Sequence, residues 1–232
     1  MIADRLRARL SRAASDDAGV SLVEVLVTMM VSAVLLAIAG SLFVSVAQAT
    51  TASNQTRDAA AVAGNGANAI GRAVRSAVQL AKLNQVALEP AIIAGSDSSL
   101  TLSSLVMESS STSLEPVQIR YSVVGGALIE ETWTGSSTTG YWLFPSAATS
   151  TKNLGSTIVP AATGETPLFS YLDAAGAPIV AAAGGLTPAQ RLAVTSVRLV
   201  LRVQSASSAT SAPVIIDTVI GMPNLGYSGD DS

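Results

Sequence analysis

The chain of 232 residues contains no cysteine and no histidine. Without cysteine no disulfide can form, so folding does not depend on an oxidising compartment, and the absence leaves export open. The two absences together remove the Ser-His-Asp and Cys-His catalytic pairs and every Cys/His zinc site. Charge is scarce as well: charged residues make up 12% of the chain and the formal net charge is −3. A nucleic-acid footprint needs clustered Lys and Arg on a folded surface. Four of the 13 basic residues (Arg5, Arg7, Arg9, Arg12) sit in the first twelve positions, and residues 20–232 carry 9 basic and 13 acidic side chains. No direct nucleic-acid contact is expected. No GxxxxGK[ST] phosphate loop occurs, and no pattern sets two carboxylates around a common site, so the chain reads as a non-enzyme without cofactor or metal. Proline is missing from residues 1–89, so nothing in that stretch forces a helix to break.

What is present begins with one long apolar run. Val25 to Val46 is 22 residues without a charge, and only Thr28, Ser32, Gly40, Ser41 and Ser45 are not apolar. About 20 such residues span a bilayer as a helix. The arginines precede the run and the next basic residue is Arg57. The positive-inside rule then places the N-terminus in the cytoplasm and the rest outside, as a single-pass protein of the cytoplasmic (inner) membrane. Glu24, at the start of the run, is the anomaly, because a charge at the membrane centre costs roughly 2.5–3.5 kcal/mol on insertion scales.

Three readings fit this segment. A secretory signal peptide is suggested by Ala47–Ala49, an A-x-A-like site, but signal h-regions run about 7–15 residues and this one is longer. A plain uncleaved anchor leaves Glu24 as an interfacial charge. The third rests on Gly19 directly before the apolar run, Val20 after it, Glu24 at the fifth position beyond Gly19, and the stretch "VSLVEVLVTMM". Here the sequence resembles the class III signal of type IV pilins and type II secretion pseudopilins, with Val20 where Phe is commonest in that family.

The resemblance implies a leader of residues 1–19, cleavage by a prepilin peptidase between Gly19 and Val20, and N-methylation of Val20. It also implies that Glu24 faces the N-terminal ammonium of a neighbouring subunit during filament assembly. Implied partners are other pilins or pseudopilins through the N-terminal helix, the inner-membrane assembly platform, and the membrane. The product would be an extracytoplasmic filament.

Residues 20–47 are then a transmembrane or filament-core helix, and residues 48–83 its outer amphipathic half. Ile70, Ala73, Val74, Ala77, Val78 and Ala81 recur at helical spacing on one face, with Arg72 and Arg75 off it. Gly64, Gly66 and Gly71 predict a bend or local melting. Residues 84–232 read as a β-rich domain. Expected strands are Val86–Ile93, Leu100–Met107, Val117–Val124, Ala127–Trp133, Pro167–Leu172, Val194–Gln204 and Pro213–Met222. Gly125-Gly126 suits a tight hairpin turn. The alternation in "VTSVRLVLRVQ" predicts a sheet covered on one face. "SSSTS", "TGSSTTG", "SAATSTKNLGS" and "QSASSATSA" read as loops.

The fold class expected is α+β, a long N-terminal helix packed on a C-terminal antiparallel sheet. Tyr121, Gly126, Leu128, Phe169, Tyr171, Asp173, Gly176 and Asn224 match a pattern of a Y…GG-L hairpin, an F-Y-D-x-x-G turn and a last strand. In these the chain is similar to larger minor pilins and J-type pseudopilins. The resemblance implies a structural subunit that primes, caps or joins a type IV pilus or type II secretion filament. The alternative is a secreted or membrane-anchored β-domain that binds a ligand or adhesive target. Of the remaining residues, Glu130 and Glu131 read as a solvated strand residue and a rim charge. Trp133, Tyr141, Trp142 and Phe144 read as core packing. Asp97, Asp173, Asp217, Asp230 and Asp231 lack the ligand spacing of a calcium loop.

Overall fold

The computed structural model describes residues 20–81, 87–107, 114–138, 141–205 and 212–225. Its chain contacts divide into two units, Met1–Ser53 and Asn54–Ser232. One helix, α1, covers Leu22–Arg75 and contributes to both.

In the first unit the helical residues 22–53 are exposed all round. The segment is long and apolar enough to cross a membrane. Three hydroxyls of its apolar run bond within the helix: Thr28 Oγ1 donates to the Glu24 carbonyl at 2.9 Å, and Ser41 and Ser45 donate to Ile38 and Ser41 carbonyls at 2.8 and 2.9 Å. Such back-bonding lets a hydroxyl sit in an apolar medium without an unmet polar group.

In the second unit the helix buries one stripe: Ala59, Ala63, Gly66, Ile70, Ala73 and Val74. The spacing follows the 3.6-residue repeat, and Arg72 and Arg75 lie exposed off the stripe as expected. The stripe packs with two antiparallel sheets. The first has the order β1 (Ile92–Gly95), β2 (Ser99–Met107), β3 (Leu114–Val124), β4 (Ala127–Thr134), β7 (Ser150–Gly155). The second has the order β11 (Val214–Gly221), β10 (Ser196–Val203), β8 (Phe169–Leu172), β9 (Pro178–Ile179). A small two-stranded sheet pairs β5 (Ser136–Thr138) with β6 (Tyr141–Leu143). Leu100, Leu102 and Leu128 from the first sheet and Phe169, Leu199 and Leu201 from the second share one core with the helix. The α+β class expected from the sequence is what the structure shows.

The β3–β4 hairpin turns on Gly125 and Gly126, with φ of 57° and 77°, closing Val124 against Ala127. Two successive positive-φ residues make a primed turn, whose twist matches that of the strands, and glycine reaches it without a Cβ penalty.

Several expectations need correction. The helix stops at Arg75 rather than near Leu83. Beyond it β2 offers a ladder: Val78 N donates to the Ser103 carbonyl at 3.0 Å and Leu105 N to the Ser76 carbonyl at 3.2 Å. Ala77 and Val78 therefore remain buried, but in extended chain. The helix runs unbroken through Gly64, Gly66 and Gly71. At Gly66 a Cβ would lie 2.9 Å from Leu128 Cδ2 and 3.1 Å from Leu201 Cδ2, so this glycine serves close approach of both sheets. Of Val86–Ile93 only Ile92 and Ile93 are strand; Val86 lies outside the described residues.

"SAATSTKNLGS", read as a loop, contains β7, and "TGSSTTG" contains β5. The second sheet is not bare on its far face: Val200 and Arg202 are buried there. The Arg202 guanidinium donates to the Thr166 carbonyl at 3.0 Å and lies 3.3 Å from the Glu165 carboxylate, beneath the segment 157–168. Helix α2 (Pro188–Ala193) was not expected from the sequence. Its signature is a capping box, with Gln190 N bonded to Thr187 Oγ1 at 3.3 Å and Thr187 N to Gln190 Oε1 at 2.9 Å.

Candidate functional site

The N-terminal end of α1 gathers the residues singled out in the sequence, except Gly19, which lies outside the described residues. Val20 precedes the helix and is 68% exposed. Ser21 accepts the first described helical hydrogen bond, from Val25 N at 3.1 Å. Glu24 then falls in the first turn. A helix N-terminus carries a partial positive charge, so a carboxylate in the first turn is favoured locally. That helps the helix start without pairing the charge. Among the described residues no cation meets Glu24, and the next one along the helix is Arg57. Thirty-three positions at 1.5 Å each separate them by about 50 Å. A partner for Glu24 has to come from elsewhere than this helix.

The residues of the second resemblance turn out to be parts of the fold. Tyr121 is buried on β3, and its hydroxyl donates to Glu130 Oε2 at 3.0 Å and to the Ala69 carbonyl at 3.3 Å, tying sheet to helix. Tyr171 is equally buried and its hydroxyl reaches the Ser96 and Ser99 carbonyls at 3.0 and 3.1 Å. Burial raises both phenol pKa values, and the nearby Glu130 and Asp97 carboxylates raise them further. Both stay protonated donors, which suits bracing and not proton abstraction. Asp173 Oδ1 accepts from Ala175 N and Ala177 N at 2.9 and 2.8 Å, and Gly176 supplies a φ of 78°. Asn224 Nδ2 caps the Arg75 carbonyl at 3.3 Å.

A half-open groove of about 660 Å³ lies between the helix and the first sheet, floored by Ala73, Val117 and Ile119 and edged by Arg72, Glu130 and Lys152. Glu130 is largely covered, with Lys152 Nζ at 3.7 Å. It is half-buried at the groove's edge, a rim charge tied to the Tyr121 hydroxyl. Glu131 pairs with Arg120 on the other face, at 2.6 Å from its Nε, and that guanidinium stands 5.5 Å from the Trp133 ring centroid. Trp133, Trp142 and Phe144 are half-buried and Tyr141 is exposed, so the aromatic core is Tyr121, Phe169 and Tyr171 instead. Asp217 is held by Arg198 through two bonds of 2.9 and 2.7 Å. Among the described residues no three carboxylates gather into a metal-holding cluster; Asp230 and Asp231 lie outside them.

Residues 15–40 match the family model described as the prokaryotic N-terminal methylation motif. Over that stretch the chain is prepilin-like. The motif points to a structural subunit, and with the apolar helix it points to membrane anchoring. No curated protein matches the chain.

Proposed function

We propose that the chain is a minor pilin or pseudopilin that primes, caps or joins a type IV pilus or type II secretion filament. The observation that carries this reading is Glu24. It is the one charged side chain between residues 20 and 56, on the exposed stretch of the helix, five positions beyond Gly19. An isolated carboxylate in a low-dielectric medium is costly, and a paired one far less so. Cleavage after Gly19 would create an ammonium on Val20, and that group on a neighbouring subunit is the pairing cation. Methylation of Val20 would leave its charge in place. In this reading the peptidase acts at the inner membrane, and the assembly platform there passes the subunit into an extracytoplasmic filament. The roughly 150 residues after the helix exceed what one compact sheet needs, which favours a minor subunit over an abundant shaft subunit.

The test is the mass of the mature N-terminal peptide. A chain beginning at Val20, and retained at full length in Gly19→Val, is the expected result. A chain beginning at Thr50 would instead support a secreted ligand-binding β-domain.

A further inference from the structure

Residues 157–168 leave and rejoin the same strand. Val159 N donates to the Arg202 carbonyl at 3.0 Å and Gln204 N to the Thr157 carbonyl at 2.9 Å, while Val200 N donates to the Leu168 carbonyl at 2.9 Å. Both ends are thus fastened to β10, and Ile158 N adds a bond of 2.8 Å to the Gly126 carbonyl. Between them the chain from Pro160 to Pro167 makes a closed excursion over the outer face of the second sheet. A loop whose ends are held close together opens with little disturbance of its roots.

The middle of this loop has little apolar contact to hold it. Ala162 to Glu165 are exposed, and a cleft of about 330 Å³ remains beneath, walled by Val123, Leu168 and Val200. What holds the loop is polar and converges on Glu165. Its Oε2 accepts from Ala162 N at 3.1 Å and lies 3.3 Å from Arg202 Nε, and Arg202 Nη1 donates to the adjacent Thr166 carbonyl at 3.0 Å. The two members of the ion pair sit differently: the Glu165 side chain is 50% exposed and the Arg202 side chain 9%. Glu165 therefore needs little further desolvation or resolvation to swing into water, while Arg202 stays on its strand. Two more carboxylates stand near the guanidinium, Asp97 at the cleft and Asp217 on β11, the latter bound by Arg198. Arg202 is not left as an isolated buried charge when Glu165 departs.

We infer that residues 160–167 are a lid, latched by Glu165, that opens as a unit while β10 and both roots of the loop stay folded. Closed, the lid covers Arg202. Open, it presents a guanidinium ringed by Val123, Leu168 and Val200, so one ion pair sets whether that surface is available. The lid lies wholly within the β-rich unit, and its opening is independent of whether the chain enters a filament.

The experiment uses the purified full-length protein in detergent. It reads backbone hydrogen exchange and the modification of Arg202 by a dicarbonyl reagent, with exposed Arg72 as internal reference. In the wild type the Glu165 amide, bonded to the Ala162 carbonyl at 3.0 Å inside the loop, should exchange at least about tenfold faster than the root amides of Val159 and Val200. Glu165→Ala should speed exchange at position 165 and modification of Arg202 by at least about tenfold each, with the root amides and the melting temperature unchanged. Glu165→Gln keeps an acceptor oxygen and loses the charge, and should fall between. If Arg202 stays as protected in Glu165→Ala as in the wild type, Glu165 is not the latch. If loop and roots exchange together, or Glu165→Ala melts markedly lower, the segment is a fixed part of the fold and the lid is wrong.

Discussion

Leu36 and Phe43 are large and 72% and 76% exposed, whereas Ala63 and Gly66, on the same helix, are small and buried. By side-chain hydrophobicity the order should be reversed. Burial within the chain follows which residues allow a neighbour to approach. The Ala/Gly stripe of residues 59–73 lets two sheets close on the helix backbone. Residues 22–46 have Val, Leu, Ile and Met on every side, a profile that suits surroundings apolar in all directions. In the proposed reading their stabilising contacts belong to lipid or to other helices, so substitutions there and in the β-rich unit should be read out by different assays.

Glu24→Ala should show the largest effect. It removes an intramembrane charge, so insertion and cleavage should be spared. Leaving a neighbour's ammonium buried without its partner costs about 3–5 kcal/mol, which lowers incorporation by two orders of magnitude or more. Filament-associated protein measured against the membrane pool checks this. Equal recovery would reduce residues 22–53 to a simple anchor.

Val74→Asp buries an unpaired charge and should destabilise the β-rich unit by several kcal/mol, seen in chemical denaturation of the full chain. Leu36→Ala should leave that same transition where it is. A shift with Leu36→Ala would mean the two regions are not separable in this way.

The glycines sharpen the comparison. Gly66→Val overfills the space before Leu128 and Leu201 and should cost about 1–3 kcal/mol. At Gly64 an added Cβ meets nothing within 4 Å, so Gly64→Ala should stabilise by about 0.5–1 kcal/mol. Thermal melting of the pair decides whether close approach or helix propensity governs each site.

The smallest effect concerns acid. The hydrogen bond from Arg198 lowers the Asp217 pKa below its ordinary value. A carboxyl with a lower pKa in the folded state contributes stability above its unfolded pKa and loses it as pH falls through the folded value. Because this pair is exposed, the loss should be slight and confined to pH below the usual carboxylate range. Asp217→Asn should abolish it in a pH series of melting curves.

Much of this was legible in the residues because the physics was local. The apolar run, the Gly125-Gly126 turn and the alternation along β10 each declare themselves within a dozen positions. The end of α1 did not, because Ser76 to Val78 could continue a helix and are drawn off by β2. Nor did β7, whose Ser, Thr, Lys and Asn become a strand only because β4 presents a free edge. Glu130 read as a charge at the surface, without its tie to the buried Tyr121 hydroxyl nine positions earlier. Helix α2 was within reach, since Thr187 and Gln190 at capping-box spacing around Pro188 are a recognisable start signal.

The inward-turned hydroxyls of Thr28, Ser41 and Ser45 have a consequence for choice of neighbours. A hydroxyl that donates to its own helix's carbonyl keeps only its acceptor lone pairs for a neighbour, so these positions have no proton to give to the next helix. To an approaching helix this segment presents mostly hydrocarbon, with one charge, Glu24, at its start. In the proposed filament any subunit with a similar profile and an N-terminal cation would be admitted on similar terms, with the Glu24 pair alone fixing the register between helices. In that reading, discrimination among subunits would fall to the β-rich unit.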